Sequence, residues 1–124
     1  MDAERERLLA GIYDAANRGD FEALLRDLAP DVEWRTPTRT IRGRNAVAGW
    51  LSGWHTSYSP HHEVERFVHA GEDTVALVRI DYEHRERNAP AHVWTVAGDQ
   101  VTRVRIFPLR EHAFEALGLD PDLG

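Results

Sequence analysis

His92 is the residue of this chain best suited to acid–base chemistry, because the unperturbed pKa of a histidine is about 6.5. It lies in an alternating segment, residues 91–97, and shares one face of that predicted strand with Trp94 and Val96. An imidazole on an apolar strand face can act as an acid, a base or a hydrogen-bond donor. Two interpretations stay open: His92 is a catalytic residue, or it is a half-buried histidine satisfied by a neighbouring group.

Asp81 is the fallback catalytic carboxylate. It shares one face of a predicted strand with Arg79 and Glu83. That face is more polar than the opposite one, which favours exposure to solvent or a dimer interface. Asp81 would face a pocket only if the strand were shifted by one residue, since such a shift exchanges the two faces.

Several chemistries are excluded by residue types that are missing or badly spaced. The 124 residues contain no Cys, and all fifteen basic residues are Arg, so thiolate nucleophiles, Cys-based metal sites and lysine Schiff bases are impossible. His61 and His62 are adjacent and would point to opposite faces of a strand. None of the seven histidines has an H-x-H or H-x-x-x-H spacing. The sequence therefore predicts no metal site.

Charge and hydropathy narrow the classes of partner. The net charge of −6 argues against binding to nucleic acid or to an anionic membrane, both of which need a basic surface. The chain has no apolar run of about 18 residues, and its charged start does not resemble a signal peptide. We expect a soluble, cytoplasmic protein.

Aromatic side chains are the second candidate for function. Four tryptophans are many for a core of this size, and their indole N–H groups need partners, which suits the wall of a ligand pocket. Ordinary packing in the core or in a dimer is the alternative. The hypothesis is an aromatic-lined cavity for a hydrophobic small molecule. Its candidate residues are Tyr13, Trp34, Trp50, Trp54, Tyr82 and Trp94, and Tyr58 could join them.

The elements that must position these residues follow from hydrophobic periodicity. Helical spacing occurs over residues 3–17, 21–28, 47–54 and 109–117, and Pro30 is expected to end the second helix. The third helix contains two glycines that could let another element pack closely. Strand-like alternation occupies residues 31–36, 61–69, 75–86, 91–97 and 100–107.

The order of these elements predicts one α+β domain spanning residues 1–124. The N-terminal helices would cover one face of a strongly curved, mostly antiparallel sheet. Such curvature would leave a space between the sheet and the helices. Apolar residues on both faces of the strands between Val75 and Phe107 predict a homodimer built on the sheet.

Several runs of residues carry a resemblance to the nuclear transport factor 2-like superfamily, and the C-terminal runs are similar to its SnoaL-like branch. The runs are Ile12-Tyr13 and residues 17–23, 29–34, 41–44, 92–107 and 111–119, so the resemblance covers nearly the whole chain. It implies a conical α+β barrel that encloses a pocket, is usually dimeric and needs no metal or cofactor. Members include ketosteroid isomerases, polyketide cyclases, dehydratases and binding domains.

The catalytic pattern of the ketosteroid isomerases is not reproduced. That branch places a carboxylate base before the proline that follows the first strand, and here Thr36 precedes Pro37. A threonine hydroxyl cannot act as that base. Tyr13 is about one residue out of register with the family's oxyanion tyrosine, and His92 occupies the position of its aspartic acid.

Two functions stay open. The chain is a SnoaL-like domain that binds a hydrophobic small molecule in an aromatic-lined pocket. Alternatively, it is an acid–base enzyme, a cyclase, isomerase or hydrolase of polyketide- or steroid-like substrates, that uses His92. The missing carboxylate favours the first function.

Overall fold

Helices occupy most of the first half of the chain and strands most of the second. The computed structural model describes residues 2–123. Within that range the helices are α1 (Asp2–Arg18), α2 (Phe21–Arg26), α3 (Arg44–Tyr58) and α4 (Arg110–Ala116), followed by a 3₁₀ turn at Pro121–Leu123. The strands are β1 (Leu28–Arg35), β2 (Thr40–Arg42), β3 (His61–Ala70), β4 (Asp73–Tyr82), β5 (Arg85–Asn88), β6 (Ala91–Ala97) and β7 (Gln100–Phe107).

The described strands form one sheet in the order β2–β1–β7–β6–β4–β3, and β5 pairs with β4. Only β1 and β7 run parallel, and every other pair is antiparallel. Register shifts interrupt several pairs, and such bulges bend a sheet. The sheet is curved but not closed, which confirms the predicted α+β cone with a mostly antiparallel sheet.

The first three helices cover the concave face of this sheet. Leu9 and Ile12 of α1, Leu24 of α2 and Val47 of α3 are almost fully buried in one cluster with Val78 of β4. α1 follows the predicted apolar spacing closely. α2 begins behind Asp20, whose carboxylate accepts a hydrogen bond from the backbone of Ala23, as expected of an N-cap.

The C-terminal helix α4 covers part of the opposite, convex face. Phe114 is fully buried there against Val75, Leu77 and Val93. The apolar residues on this part of the convex face are therefore covered by the chain's own helix. They give no separate indication of a second protomer, and the homodimer stays a prediction.

The predicted second helix was too long. α2 ends at Arg26. Leu28 continues the apolar spacing of the helix in the sequence, but in the structure it begins β1, where it is fully buried. Pro30 lies inside β1 and does not end a helix. It lies in the stretch between Leu28 and Glu33, where the pairing of β1 with β7 is irregular. A proline, which has no backbone N–H, is tolerated there because that position makes no regular hydrogen bond of the sheet.

The predicted strand 75–86 was also wrong at its end. β4 stops at Tyr82, and the chain turns through His84, which has a φ of 61°, before β5 returns along β4. No Gly or Pro marks this turn, and the alternating pattern of the sequence continues through it. A Cβ added at Gly49 or Gly53 of α3 would meet nothing within 4 Å, so no element packs closely there.

Within the described range, no helix combines the length and the apolar character that crossing a membrane requires.

Candidate functional site

A cavity of about 230 Å³ lies between the concave face of the sheet and the first three helices. Its lining residues come from α1, α2 and α3 on one side and from β1, β3, β4, β5, β6 and β7 on the other. The exposed residues Pro37, Arg85 and Pro108 also line it, so it reaches the protein surface. The cavity is the space that the curvature of the sheet was expected to leave.

Aromatic side chains form much of the cavity wall. Trp50 and Trp54 stack with their ring centroids 6.0 Å apart, and Trp34 meets Trp94 edge to face at 5.8 Å. These ring contacts leave the cavity open. All six predicted pocket residues line it: Tyr13, Trp34, Trp50, Trp54, Tyr82 and Trp94. Tyr58 is not in the lining, although its ring contacts that of Tyr82.

His92 lies at the end of a buried chain of hydrogen bonds. The indole N–H of Trp94 donates to the Tyr13 hydroxyl at 2.9 Å, and that hydroxyl lies 2.6 Å from Nδ1 of His92. Trp94 can only donate, and the buried hydroxyl proton has no acceptor other than Nδ1 of His92 among the described residues. Pairing that proton assigns Nδ1 of His92 as the acceptor and places the ring proton on Nε2.

Burial without a counter-charge keeps His92 neutral. Desolvation, helped by the nearby His62, lowers the pKa of His92 to about 3. Burial likewise raises the pKa of the Tyr13 phenol far above its usual value. No Asp or Glu is among the cavity-lining residues that the structure describes. At neutral pH His92 can donate a hydrogen bond from Nε2, but it cannot deliver a proton as an imidazolium.

His62 is the cavity residue that the sequence did not single out. It is 9% exposed, and its ring centroid lies 6.4 Å from that of His92. Asn17 of α1 holds it, since the Asn17 side chain accepts from the His62 backbone N–H at 2.7 Å and donates to its carbonyl at 2.9 Å. Burial lowers the pKa of His62 to about 4, so this ring is also neutral.

Alternation in β3 was the signal that could have revealed His62. Adjacent to His61 and Glu63, which are exposed, it points to the concave face and pairs in register with Ile80. Because His61 and His62 point to opposite faces of β3, they cannot bind one metal ion together. Within residues 2–123 no group of three His, Asp or Glu side chains could hold a metal ion.

A third buried polar group belongs to a residue that lines the cavity. Nε1 of Trp34 is buried and has no hydrogen-bond partner among the residues that the structure describes. Buried indole N–H groups usually have one. Trp34 lines the cavity with other atoms of its ring, whereas its Nε1 atom is itself covered by surrounding atoms.

A family model described as a SnoaL-like domain matches residues 9–104. The chain belongs to the SnoaL-like domain family. No curated protein matches the sequence of this SnoaL-like domain.

Solved structures share the fold of this SnoaL-like domain at low sequence identity. TerC co-crystallized with polyporic acid is 20% identical, with 92% of this chain and 97% of that chain covered and a TM-score of 0.76. A proposed polyketide cyclase from Sinorhizobium meliloti is 17% identical, with coverages of 81% and 93% and a TM-score of 0.76. A proposed ketosteroid isomerase from Kribbella flavida is 21% identical, with coverages of 85% and 77% and a TM-score of 0.75.

The remaining candidates of this SnoaL-like domain lie apart from His92. Asp81 is on the convex side of β4, where it forms an ion pair with Arg87, and it does not line the cavity. Thr36 lines the cavity, but its hydroxyl takes part in a local turn with the backbone of Arg39. The position of the isomerase base thus holds a hydroxyl that is already hydrogen-bonded.

Proposed function

We propose that this SnoaL-like domain binds a hydrophobic aromatic small molecule in the cavity between the sheet and the helices. The observation that carries the proposal is an open cavity of about 230 Å³ whose wall contains four tryptophans and two tyrosines. An apolar cavity of about 150 Å³ is enough to hold benzene. The cavity of this chain has room for a somewhat larger ring system, and its open end allows part of a ligand to protrude.

The physical reason for binding is the burial of apolar surface. Each Å² of apolar ligand surface removed from water contributes about 25 cal/mol, and flat indole rings offer such surface without losing side-chain freedom. The wall is already assembled by ring-to-ring contacts such as that of Trp54 with Tyr82 at 5.9 Å. A preformed cavity lowers the cost of ordering the site when the ligand enters.

The comparisons support this proposal without deciding the ligand. TerC, which shares the fold over nearly its whole length, was co-crystallized with polyporic acid. Other solved structures of this fold carry the names of a cyclase and an isomerase. Because one fold can serve several activities, the function of a protein with this fold has to be inferred from the side chains of its site.

Isothermal titration calorimetry with 1-naphthol tests the proposal. We expect one molecule to bind per chain. Leu51→Trp fills the cavity, because Leu51 is in the lining, and should abolish the binding heat. Leu109→Trp is the matched control, since Leu109 is 53% exposed and outside the lining.

Overpacking at Leu51 costs about 1–3 kcal/mol of stability, so Ala16→Leu serves as a milder variant that also narrows the cavity. Binding that is lost in both variants and kept in Leu109→Trp supports the proposal. The absence of saturable heat with the unmodified chain, or equal binding by all the variants, contradicts it.

An acid–base enzyme that acts on polyketide- or steroid-like substrates is the second candidate. It is favoured by one observation, the buried imidazole of His92 in the cavity with a second imidazole 6.4 Å away. A neutral Nε2–H can stabilise a developing oxyanion. Conversion of a β,γ-unsaturated ketosteroid, followed by the ultraviolet absorbance of its conjugated product, tests this candidate. Activity that disappears in His92→Gln supports it, and no activity above buffer contradicts it.

Assembly into a homodimer on the convex face is part of the proposal. Arg105 lies opposite Val93, a residue of the convex face, and Arg103 lies opposite Thr95. Both arginines are only half-buried within one chain, so part of each residue is open to contact with a second protomer. Light scattering at micromolar concentration should give twice the mass of the chain, and the mass of one chain contradicts this expectation.

A further inference from the structure

The ring protons of the two cavity histidines are fixed on opposite nitrogens. For His92, Nδ1 accepts from the Tyr13 hydroxyl at 2.6 Å. The hydroxyl oxygen could accept from two donors, but its buried proton has no acceptor other than Nδ1 of His92 among the described residues, so pairing that proton makes the hydroxyl the donor in this contact. Nε2 of His92 therefore carries the proton and has no partner within residues 2–123.

For His62 the assignment is reversed. The Asn17 amide nitrogen donates to the carbonyl of His62, which fixes the amide oxygen as the atom that faces the His62 backbone N–H and ring. An amide oxygen only accepts, and it lies 3.1 Å from Nδ1 of His62. Nδ1 of His62 therefore carries the proton. Its Nε2 is left with a lone pair and without a partner in the described part of the chain.

One free donor and one free acceptor thus line the same cavity. Two hydrogen bonds of about 2.8 Å that meet at one oxygen span roughly 5 Å, which is compatible with ring centroids 6.4 Å apart. The burial that keeps both rings neutral also keeps these roles fixed. A hydroxyl group can accept one hydrogen bond and donate another, whereas an ether or a ketone can only accept.

We propose that the cavity selects aromatic ligands that carry a hydroxyl group, a phenol or an enol, which accepts from Nε2–H of His92 and donates to Nε2 of His62. This inference rests on the proposed function, since it names the class of ligand for the same cavity. Asn17 and Tyr13 act as positioning residues that set the two ring protons.

A series of three ligands that differ at one group tests the inference by calorimetry. Naphthalene has no polar group, 1-methoxynaphthalene can only accept, and 1-naphthol can accept and donate. We expect 1-naphthol to bind about tenfold or more tightly than the other two, because its hydroxyl forms two hydrogen bonds, whereas the methoxy group can form one and naphthalene none. Equal affinities for all three overturn the inference and leave the proposed function standing. If none of the three binds, the proposed function fails as well.

Three variants locate the effect. His62→Phe and His92→Phe keep a ring in the wall and remove its nitrogens, so the preference for 1-naphthol should disappear while naphthalene still binds. His61→Phe is the matched control, because His61 is the exposed neighbour of His62 and does not line the cavity. Loss of the preference in the control, or its persistence in both of the other variants, overturns the inference.

The ring protons can be read directly in the unmodified chain by long-range ¹H–¹⁵N correlation, which distinguishes the two neutral forms of an imidazole. We expect Nε2–H for His92 and Nδ1–H for His62. This measurement needs no ligand and no variant, so it decides the assignment even if a variant fails to fold. The opposite form at either residue overturns the inference.

Discussion

At the scale of single residues, the cavity histidines are defined by what surrounds them. Each ring has one nitrogen engaged by a neutral side chain, the Tyr13 hydroxyl for His92 and the Asn17 amide for His62. Among the residues that the structure describes, no carboxylate pairs with either ring, so neither is stabilised in its charged form. Their chemistry is that of neutral donors and acceptors, which suits the recognition of a polar group on an apolar ligand.

The same burial predicts how stability depends on pH. The pKa values of His62 and His92 are lowered to about 4 and about 3 in the folded chain, from 6.5. The unfolded chain therefore binds more protons below about pH 6.5, and the free energy of unfolding falls as the pH falls towards 4. From pH 7 to pH 5 we expect a loss of roughly 2–4 kcal/mol, measured by urea unfolding.

The double variant His62→Phe/His92→Phe is the control for this pH dependence. It removes both groups and should flatten the decline between pH 7 and pH 5. A decline of the same size in the double variant would show that other groups cause it.

The buried chain of hydrogen bonds around Tyr13 gives a second prediction. Tyr13→Phe removes the hydroxyl that links Trp94 to His92, and leaves the indole N–H of Trp94 buried without an acceptor. We expect the free energy of unfolding to fall by about 1–3 kcal/mol, measured by urea unfolding. Tyr58→Phe, at an exposed tyrosine outside the cavity, should change it by less than about 0.5 kcal/mol. Equal effects of the two variants would contradict the assigned role.

At the scale of elements, the sequence predicted those helices and strands whose bounds are set by apolar periodicity and by turn residues at their ends. α1, α3, β6 and β7 were predicted because apolar spacing and flanking turn residues agree there. The end of α2 and the turn after β4 were missed, because Leu28 continued the helical spacing and no Gly or Pro marks His84. In each case a tertiary pairing, of β1 with β7 and of β5 with β4, decided the local structure.

The candidate site could be predicted only in part for a related reason. The aromatic residues and His92 follow from the faces of their own elements. The role of His62 depends on Asn17, which is 45 residues away along the chain, and the hydrogen bond between them appears only once α1 lies on β3. The ring-proton assignments likewise need the three-dimensional arrangement of Tyr13 and Trp94.

Two glycines in helical context give opposite predictions. Gly19, which ends α1, has a φ of +70°, and an added Cβ would lie 3.1 Å from Nε2 of His55. Gly19→Ala should therefore lower the free energy of unfolding by about 1–2 kcal/mol. Gly49 lies inside α3 with open space around it, so Gly49→Ala should raise stability by about 0.5–1 kcal/mol. Thermal unfolding checks both, and the same sign for the two variants contradicts the account.

At the scale of the whole molecule, helices cover both faces of one curved sheet, but only the concave face encloses a cavity. On the convex face α4 closes a small apolar cluster around Phe114. On the concave face three helices cover a larger core, but the curvature keeps them from filling the space above the middle strands. The cavity is thus a consequence of the SnoaL-like fold, and its aromatic and imidazole lining is the contribution of this particular sequence.

The most direct test of ligand binding in this cavity is a titration of ¹⁵N-labelled protein with 1-naphthol, followed by ¹H–¹⁵N correlation spectra. We expect saturable shifts for the indole N–H of Trp34 and for the amides of cavity residues such as Ile80, while the amide of Phe114 on the convex face stays unchanged. Spectra that do not change, or shifts confined to the convex face, would contradict this expectation.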